Sequence, residues 1–192
     1  MDYWFSSDWH LSHKRMMEIL RPEFKTIDEM NTTILDNMFK VTKPGDQMYF
    51  AGDLVFTDNN ILEQLLKLIK KHRIHFHWIT GNHDKKTPRH VKDRVDSFVS
   101  VKDIKINKQK ITICHFPMIS WNCSHYGAWQ LFGHHHRKNH GGPTPIVGKQ
   151  LNINCEFHDF KPWNFEEIKV EIDKLKKGWD YIEKDGNNLQ SE

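Results

Sequence analysis

Ile74-His75-Phe76-His77-Trp78-Ile79-Thr80-Gly81-Asn82-His83-Asp84 is the stretch from which the fold can be read. Apolar residues alternate with imidazoles up to Ile79, the period of a β-strand. Thr80 and Gly81 break that pattern. An amide, an imidazole and a carboxylate then follow in succession. Such a group is poor core material, but it suits the C-terminal edge of a strand, where open α/β sheets collect their ligands.

Other runs end the same way. Residues 2–6 read as an aromatic-rich strand leading to Asp8 and His10, with His13 just beyond. Residues 47–51 form a second short strand that stops at Gly52-Asp53. Residues 97–106 and 110–114 read as antiparallel strands around a turn at 107–109, and the second delivers His115. Trp129 to Phe132 is a strand ending at Gly133-His134-His135-His136, and Gln150 to Cys155 is another strand.

Helical periodicity fills the gaps. Residues 13–20 form a short helix that stops before Arg21-Pro22. Thr26 and Glu29 have capping-box spacing ahead of a helix over 27–40. Asp58-Asn59-Asn60 opens a helix with a broad leucine face up to Lys71. Pro88 opens another near 88–95, and a last helix covers 164–178. Gly141 to Pro145 is loop, and the tail from Lys184 is polar and frayed. Strand and helix alternate in the first half and strands dominate the second. This pattern predicts a mixed sheet, or two stacked sheets, with helices outside.

The chain has 192 residues, enough for one domain over 1–192 with a substantial core. A formal charge of +3 tolerates a polyanionic substrate without requiring one. The three cysteines, Cys114, Cys123 and Cys155, include no Cys-x-x-Cys pair and read as buried free thiols. No signal peptide or membrane-length apolar run is visible, which predicts a cytoplasmic protein without a membrane partner. The unusual number is fourteen histidines.

The strand ends gather Asp8, His10, Asp53, Asn82, His83, His115, His134 and His136, all oxygen or imidazole donors. Mixed carboxylate and imidazole donors suit Mn, Fe, Ni or Zn, with Mg less favoured. Asp8-x-His10 and His134-x-His136 each place two donors on one side of an extended segment. Taken singly, every piece has an ordinary structural explanation. Taken in order and placement, they form a complete ligand set.

In that order the segments resemble the calcineurin-like metallophosphoesterase superfamily, in particular its short single-domain members from bacteria and phages. The resemblance implies an α/β (α+β mixed) fold, a four-layer αββα sandwich with two mixed β-sheets flanked by helices. It implies two divalent metal ions, with Mn2+ the first choice. Asp8, His10 and His136 would hold one, Asn82, His115 and His134 the other, and Asp53 would bridge them. It further implies hydrolysis of a phosphoester by a metal-bridging hydroxide, with His83 aiding the leaving group and Asp84 orienting His83 or its loop. His13, Arg21 and His135 are candidate substrate contacts, with Lys85, Arg89 and Arg137 further out. The aromatic loop between Trp121 and Trp129 either packs or stacks on a substrate ring. The expected substrate is a phosphodiester or small nucleotide. A nuclease acting on single-stranded nucleic acid and a non-catalytic binding scaffold are the alternatives. Oligomeric state is not legible.

Overall fold

The computed structural model describes residues 1–56, 58–137 and 148–176. Three strands, β1 (Tyr3–Ser6), β2 (Gln47–Ala51) and β3 (His75–Ile79), lie parallel side by side. Between them run helices α1 (Lys14–Leu20), α2 (Ile27–Val41) and α3 (Asn59–His72). The short helix α4 (Arg89–Lys92) precedes β4 (Ser97–Val99), which pairs parallel with β3. The second sheet comprises β5 (Val101–Ile106), β6 (Gln109–Cys114), β7 (Trp129–Phe132) and β8 (Gln150–Asn152), in that order. Finally β9 (Trp163–Asn164) returns antiparallel beside β1 and leads into α5 (Phe165–Asp173). Both sheets are mixed, and helices flank them.

The alternation along each strand explains the layers. On β2, Met48 and Phe50 pack with Ile34, Met38, Leu65 and Ile69 of α2 and α3. Tyr49 and Ala51 point the other way, toward Ile111, Ile113 and Leu131 of the second sheet. Each such side chain, fully buried, contributes about 1.5–3 kcal/mol. The far face of the second sheet carries the buried polar residues Thr112, Gln130 and Gln150. The loop after β6 covers them: Gln130 accepts from Met118 N–H (3.1 Å), and Gln150 donates to the Met118 carbonyl (2.6 Å).

Several element ends differ from the sequence reading. Residues 97–106 are not one strand. The chain breaks at Ser100, leaving β4 in the first sheet and β5 in the second, so that Phe98 joins the helix-side core and Ile106 the inter-sheet core. The strand expected to reach Cys155 stops at Asn152, because Asn154 instead bridges Ser7 and caps a 3-10 turn by accepting Glu156 N–H (3.0 Å). The helix expected over 88–95 shortens to α4, preceded by a 3-10 turn at Asp84–Lys86. The last helix ends at Asp173, short of its expected end at 178, and the final two of those positions lie outside the described residues. The expected loop at 141–145 and the tail from 184 also lie outside them. No helix among the described residues is long and apolar enough to cross a membrane.

The caps follow local chemistry. Thr26 accepts from Glu29 N–H (3.1 Å), but the Glu29 carboxylate takes Lys25 N–H rather than closing the box on Thr26. Asp58 accepts from both Asn60 and Ile61 N–H at the head of α3.

Candidate metal centre

All five donor-bearing strands deliver their C-terminal ends to one place. The loop after β1 follows the loop after β2, with Asp8 N–H on the Gly52 carbonyl (2.9 Å) and His10 N–H on that of Asp53 (3.0 Å). In the second sheet Gly133 N–H donates to the His115 carbonyl (2.9 Å), which holds the ends of β6 and β7 together. Across the sheets, His115 Nδ1 lies 2.8 Å from the Ala51 carbonyl. A carbonyl can only accept, so Nδ1 carries a proton and Nε2 is the nitrogen that faces Asn82 and Asp53.

Three groups of donor atoms converge there: Asp8, His10 and His136; His10, Asp53 and His83; Asp8, Asp53 and His115. Asp53 is common to two of them. One of its oxygens lies 3.7 Å from His10 Nε2 and 3.4 Å from His115 Nε2. His115 Nε2 is also 3.0 Å from Asn82 Oδ1. His136 Nε2 is 3.7 Å from Asp8 Oδ1. The His134 ring stands edge-on to His115, 5.1 Å between centroids, and its backbone N–H donates to the Asp8 carboxylate. His134 is not in the three converging groups.

The electrostatics ask for a cation. Asp8, His10 and His115 are buried, and His10 Nε2 has no hydrogen-bond partner although two carboxylates lie within 4 Å. Burial, then the Arg21 charge, hold the His10 imidazole well below its ordinary pKa. Burial pushes the Asp8 carboxyl up to about 6 against the pull of His115 and His136. Burial would lower His115, but its hydrogen bond and charge contact with Asp53 outweigh this and carry it to about 9. The backbone is also under tension. Asp8, His10, Asp53 and His134 have φ of 56°, 47°, 61° and 67°. That left-handed region costs a residue with a side chain about 1–3 kcal/mol and clusters at functional sites. A neutral buried imidazole with an orphan nitrogen beside two carboxylates fits a divalent cation.

Support comes from a residue the sequence reading missed. Glu156 is buried, takes His136 Nδ1 at 2.8 Å and is ion-paired with Arg21 Nε at 2.9 Å. Its carboxylate fixes which His136 nitrogen faces Asp8, as carboxylates behind metal-binding imidazoles do. It too follows a segment read as a strand, and Glu156-x-His158 repeats the Asp8-x-His10 spacing.

Arg21 is corrected by the same geometry. It was expected to touch substrate, yet it is fully buried. Besides Glu156 it donates to the carbonyls of Trp9 (2.7 Å) and Asp8 (2.5 Å). Asp84 was expected to orient His83 or its loop, and its side-chain hydrogen bonds among the described residues are to the loop. Its buried carboxylate accepts from the N–H groups of Asp53, Leu54 and Gly81 and from Trp78 Nε1, so it ties the Asp53 loop to the Gly81 loop.

His83 is exposed, with Nε2 at 3.9 Å from Asp53 and its ring edge-on to His10 and Phe56. His13 stacks on Phe56 at 3.8 Å, half-buried at the same rim. His135 is half-buried, and its carbonyl accepts from Asn152 (2.9 Å). Trp121 and Trp129 are buried, and the Trp121 indole donates to the Ala128 carbonyl, so these two rings pack rather than offer a stacking face. Cys114 and Cys155 are buried thiols, while Cys123 is only half-buried.

The calcineurin-like phosphoesterase profile matches residues 1–184. The chain belongs to that family. The uncharacterized protein MJ1445 of Methanocaldococcus jannaschii is 31% identical over 175 residues, spanning 88% of this chain and 90% of its own. The crystal structure of AQ665, a protein of unknown function from Aquifex aeolicus, superposes with a TM-score of 0.69 at 26% identity. It covers 88% of this chain and 98% of its own. A novel archaeal phosphodiesterase overlaps at a TM-score of 0.44 and 16% identity, over 82% of this chain and 87% of its own. Family membership and the converging donors make this phosphoesterase metal-dependent.

Proposed function

We propose that the protein is a dinuclear metal-dependent phosphodiesterase acting on a diester or small nucleotide. The observation that carries the diester reading is the pair of cavities on either side of Asn82 and Lys85. One, of about 530 Å³, includes His83 in its wall, and the other, of about 450 Å³, includes Phe98 and Phe116. A phosphate held at Asn82 can place one ester substituent on each side, whereas a monoester would fill only one.

Asp8, His10 and His136 would hold one ion, and Asn82, His115 and His134 the other, with Asp53 between them. When bound, the ions supply Lewis acidity, neutralising phosphate charge and bringing a water near neutral ionisation. Glu156 holds the His136 ring, and the Ala51 carbonyl holds that of His115, so both keep their donor nitrogens aimed inward. Water adds its oxygen to phosphorus as the opposite P–O ester bond breaks. His83, exposed at the rim, gives a proton from Nε2 to the departing oxygen, and the proton lost by water goes to solvent. The free thiols suit a cytoplasmic setting.

A nuclease is the second reading. Lys85 and Lys92 lie beside the smaller cavity, but Arg94 and His90 are both held by Glu63, which reduces the basic run available to a polyanion.

The test is an activity screen of protein reconstituted with Mn, Fe, Ni, Zn or Mg against monoesters, linear diesters, cyclic nucleotides and single-stranded nucleic acid. Metal-dependent turnover of diesters is expected. Elemental analysis showing bound metal with no ester hydrolysed would sink the proposal. His83→Ala should keep its metal and lose about 10²–10⁴-fold in turnover of a diester with a poor leaving group. An unchanged rate removes His83 as the acid.

A further inference from the structure

The two cavities beside Asn82 are not equivalent. His83 lines the larger and is absent from the wall of the smaller. In an in-line displacement the group that protonates the departing oxygen stands next to it. The carbon substituent on that oxygen must therefore continue past His83. From the diesterase reading and this asymmetry, we infer that the cavity between the head of α3 and residues 82–88 is the leaving-group subsite, and that it takes a ring-bearing alcohol such as a phenol or nucleoside.

The chemistry of the wall gives the class. Val55, Phe56, Leu62, Trp78 and Pro88 are carbon-rich and surround a volume of about 530 Å³. Pockets of roughly 300–1,000 Å³ with mainly apolar walls suit ring-sized ligands. A methyl or ethyl leaving group would leave most of this surface wet. The polar groups there are partly committed to structure. Asp58 caps α3 with one oxygen and accepts from Ser12 Oγ (3.0 Å) with the other. Trp78 is almost fully buried, with its indole N–H held by Asp84, so it offers a fixed wall rather than a mobile one. Phe56 is likewise held, stacked on His13 and edge-on to His83. Lys85 is common to both cavities and suits the phosphate between them.

The probe is methyl benzylphosphonate, a monoanion whose single ring is attached to phosphorus through an unhydrolysable P–C bond where the departing oxygen would stand. Its affinity for the Mn-loaded protein is measured by calorimetry, which reads binding without turnover. Asn59→Trp, on the exposed first residue of α3, and Leu62→Phe, in the wall, both put bulk into this cavity. Each should weaken the phosphonate about tenfold, a size change that pockets commonly resolve. Asn59→Trp keeps the test decisive if the wall variant fails to fold. If the probe does not bind the wild type, or if affinity survives in Asn59→Trp, the inference is overturned. It is equally overturned if Val101→Trp, in the opposite cavity, gives the larger loss. Hydrolysis of methyl 4-nitrophenyl phosphate, assayed in parallel, separates the two ideas. A protein that binds the phosphonate here but cleaves no ester keeps the subsite and loses the diesterase reading.

Discussion

Glu156 shows how much of the centre depends on a single carboxylate. Burial would raise its pKa, but the His136 hydrogen bond and the Arg21 charge overcome this and bring it from 4.5 to about 2. A folded value below the unfolded one stabilises the fold fully above pH 4.5, and that contribution is lost as pH falls through about 2. It amounts to something on the order of 3 kcal/mol. Glu156→Gln should thus destabilise the metal-free protein by about 3–5 kcal/mol at pH 7, because Arg21 is left buried without its partner. The gap to wild type should narrow at pH 3. Urea unfolding at both pH values checks this, and an equal loss at each would assign the effect to shape rather than charge. Metal affinity of the same variant should fall about 10–100-fold, since the His136 ring loses its anchor.

At the scale of elements, the centre exists because strand ends approach more closely than side chains normally allow. A Cβ on Gly133 at the end of β7 would run into the Asp8 carboxylate and Ser7 Oγ after β1. A Cβ on Gly81 after β3 would run into Asp53. In both places the obstacle is a donor loop held by backbone hydrogen bonds, not the free end of a flexible chain. Gly133→Ala should therefore cost about 1–3 kcal/mol through overpacking. It should also weaken metal binding by pushing Asp8 away from His136. Calorimetric titration with Mn2+ next to an unfolding curve tests both. Native affinity in this variant would mean that the two strand ends can separate without cost to the centre.

For the whole molecule, a cation held by these donors would act as a cross-link between the two sheets. Asp8, Asp53 and Asn82 come from the first sheet, and His115, His134 and His136 from the second. Ligand bound only by the folded state adds about 2.7 kcal/mol at a hundredfold excess over Kd. For a chain of this length each kcal/mol raises Tm by roughly 2–4 °C. Saturating Mn2+ should raise Tm of the chelator-treated protein by about 5–10 °C in a thermal shift assay. No shift with Mn, Fe, Ni or Zn would argue against a cation site between the sheets.

What the sequence determined by itself is local or ordered along the chain. Alternation placed β1, β2, β3, β6 and β7, leucine spacing placed α3, and turn chemistry put Asp8, Asp53, Asn82, His115 and His134 just beyond strand ends. Resemblance in the order of those segments gave the family and the two-sheet architecture. Only the tertiary structure decided the rest, because it depends on groups far apart in the chain. The break at Ser100 reflects which sheet each half of 97–106 joins. That is a matter of partners, since apolar strand formers stand on both sides of the break. Arg21 read as a candidate substrate contact, but its charge is matched by Glu156, 135 residues away. Asp84 adjoins His83 in sequence, yet its hydrogen bonds run to the Asp53 loop. A side chain's identity states what it can donate or accept; the packing of the two sheets decides which partner it meets.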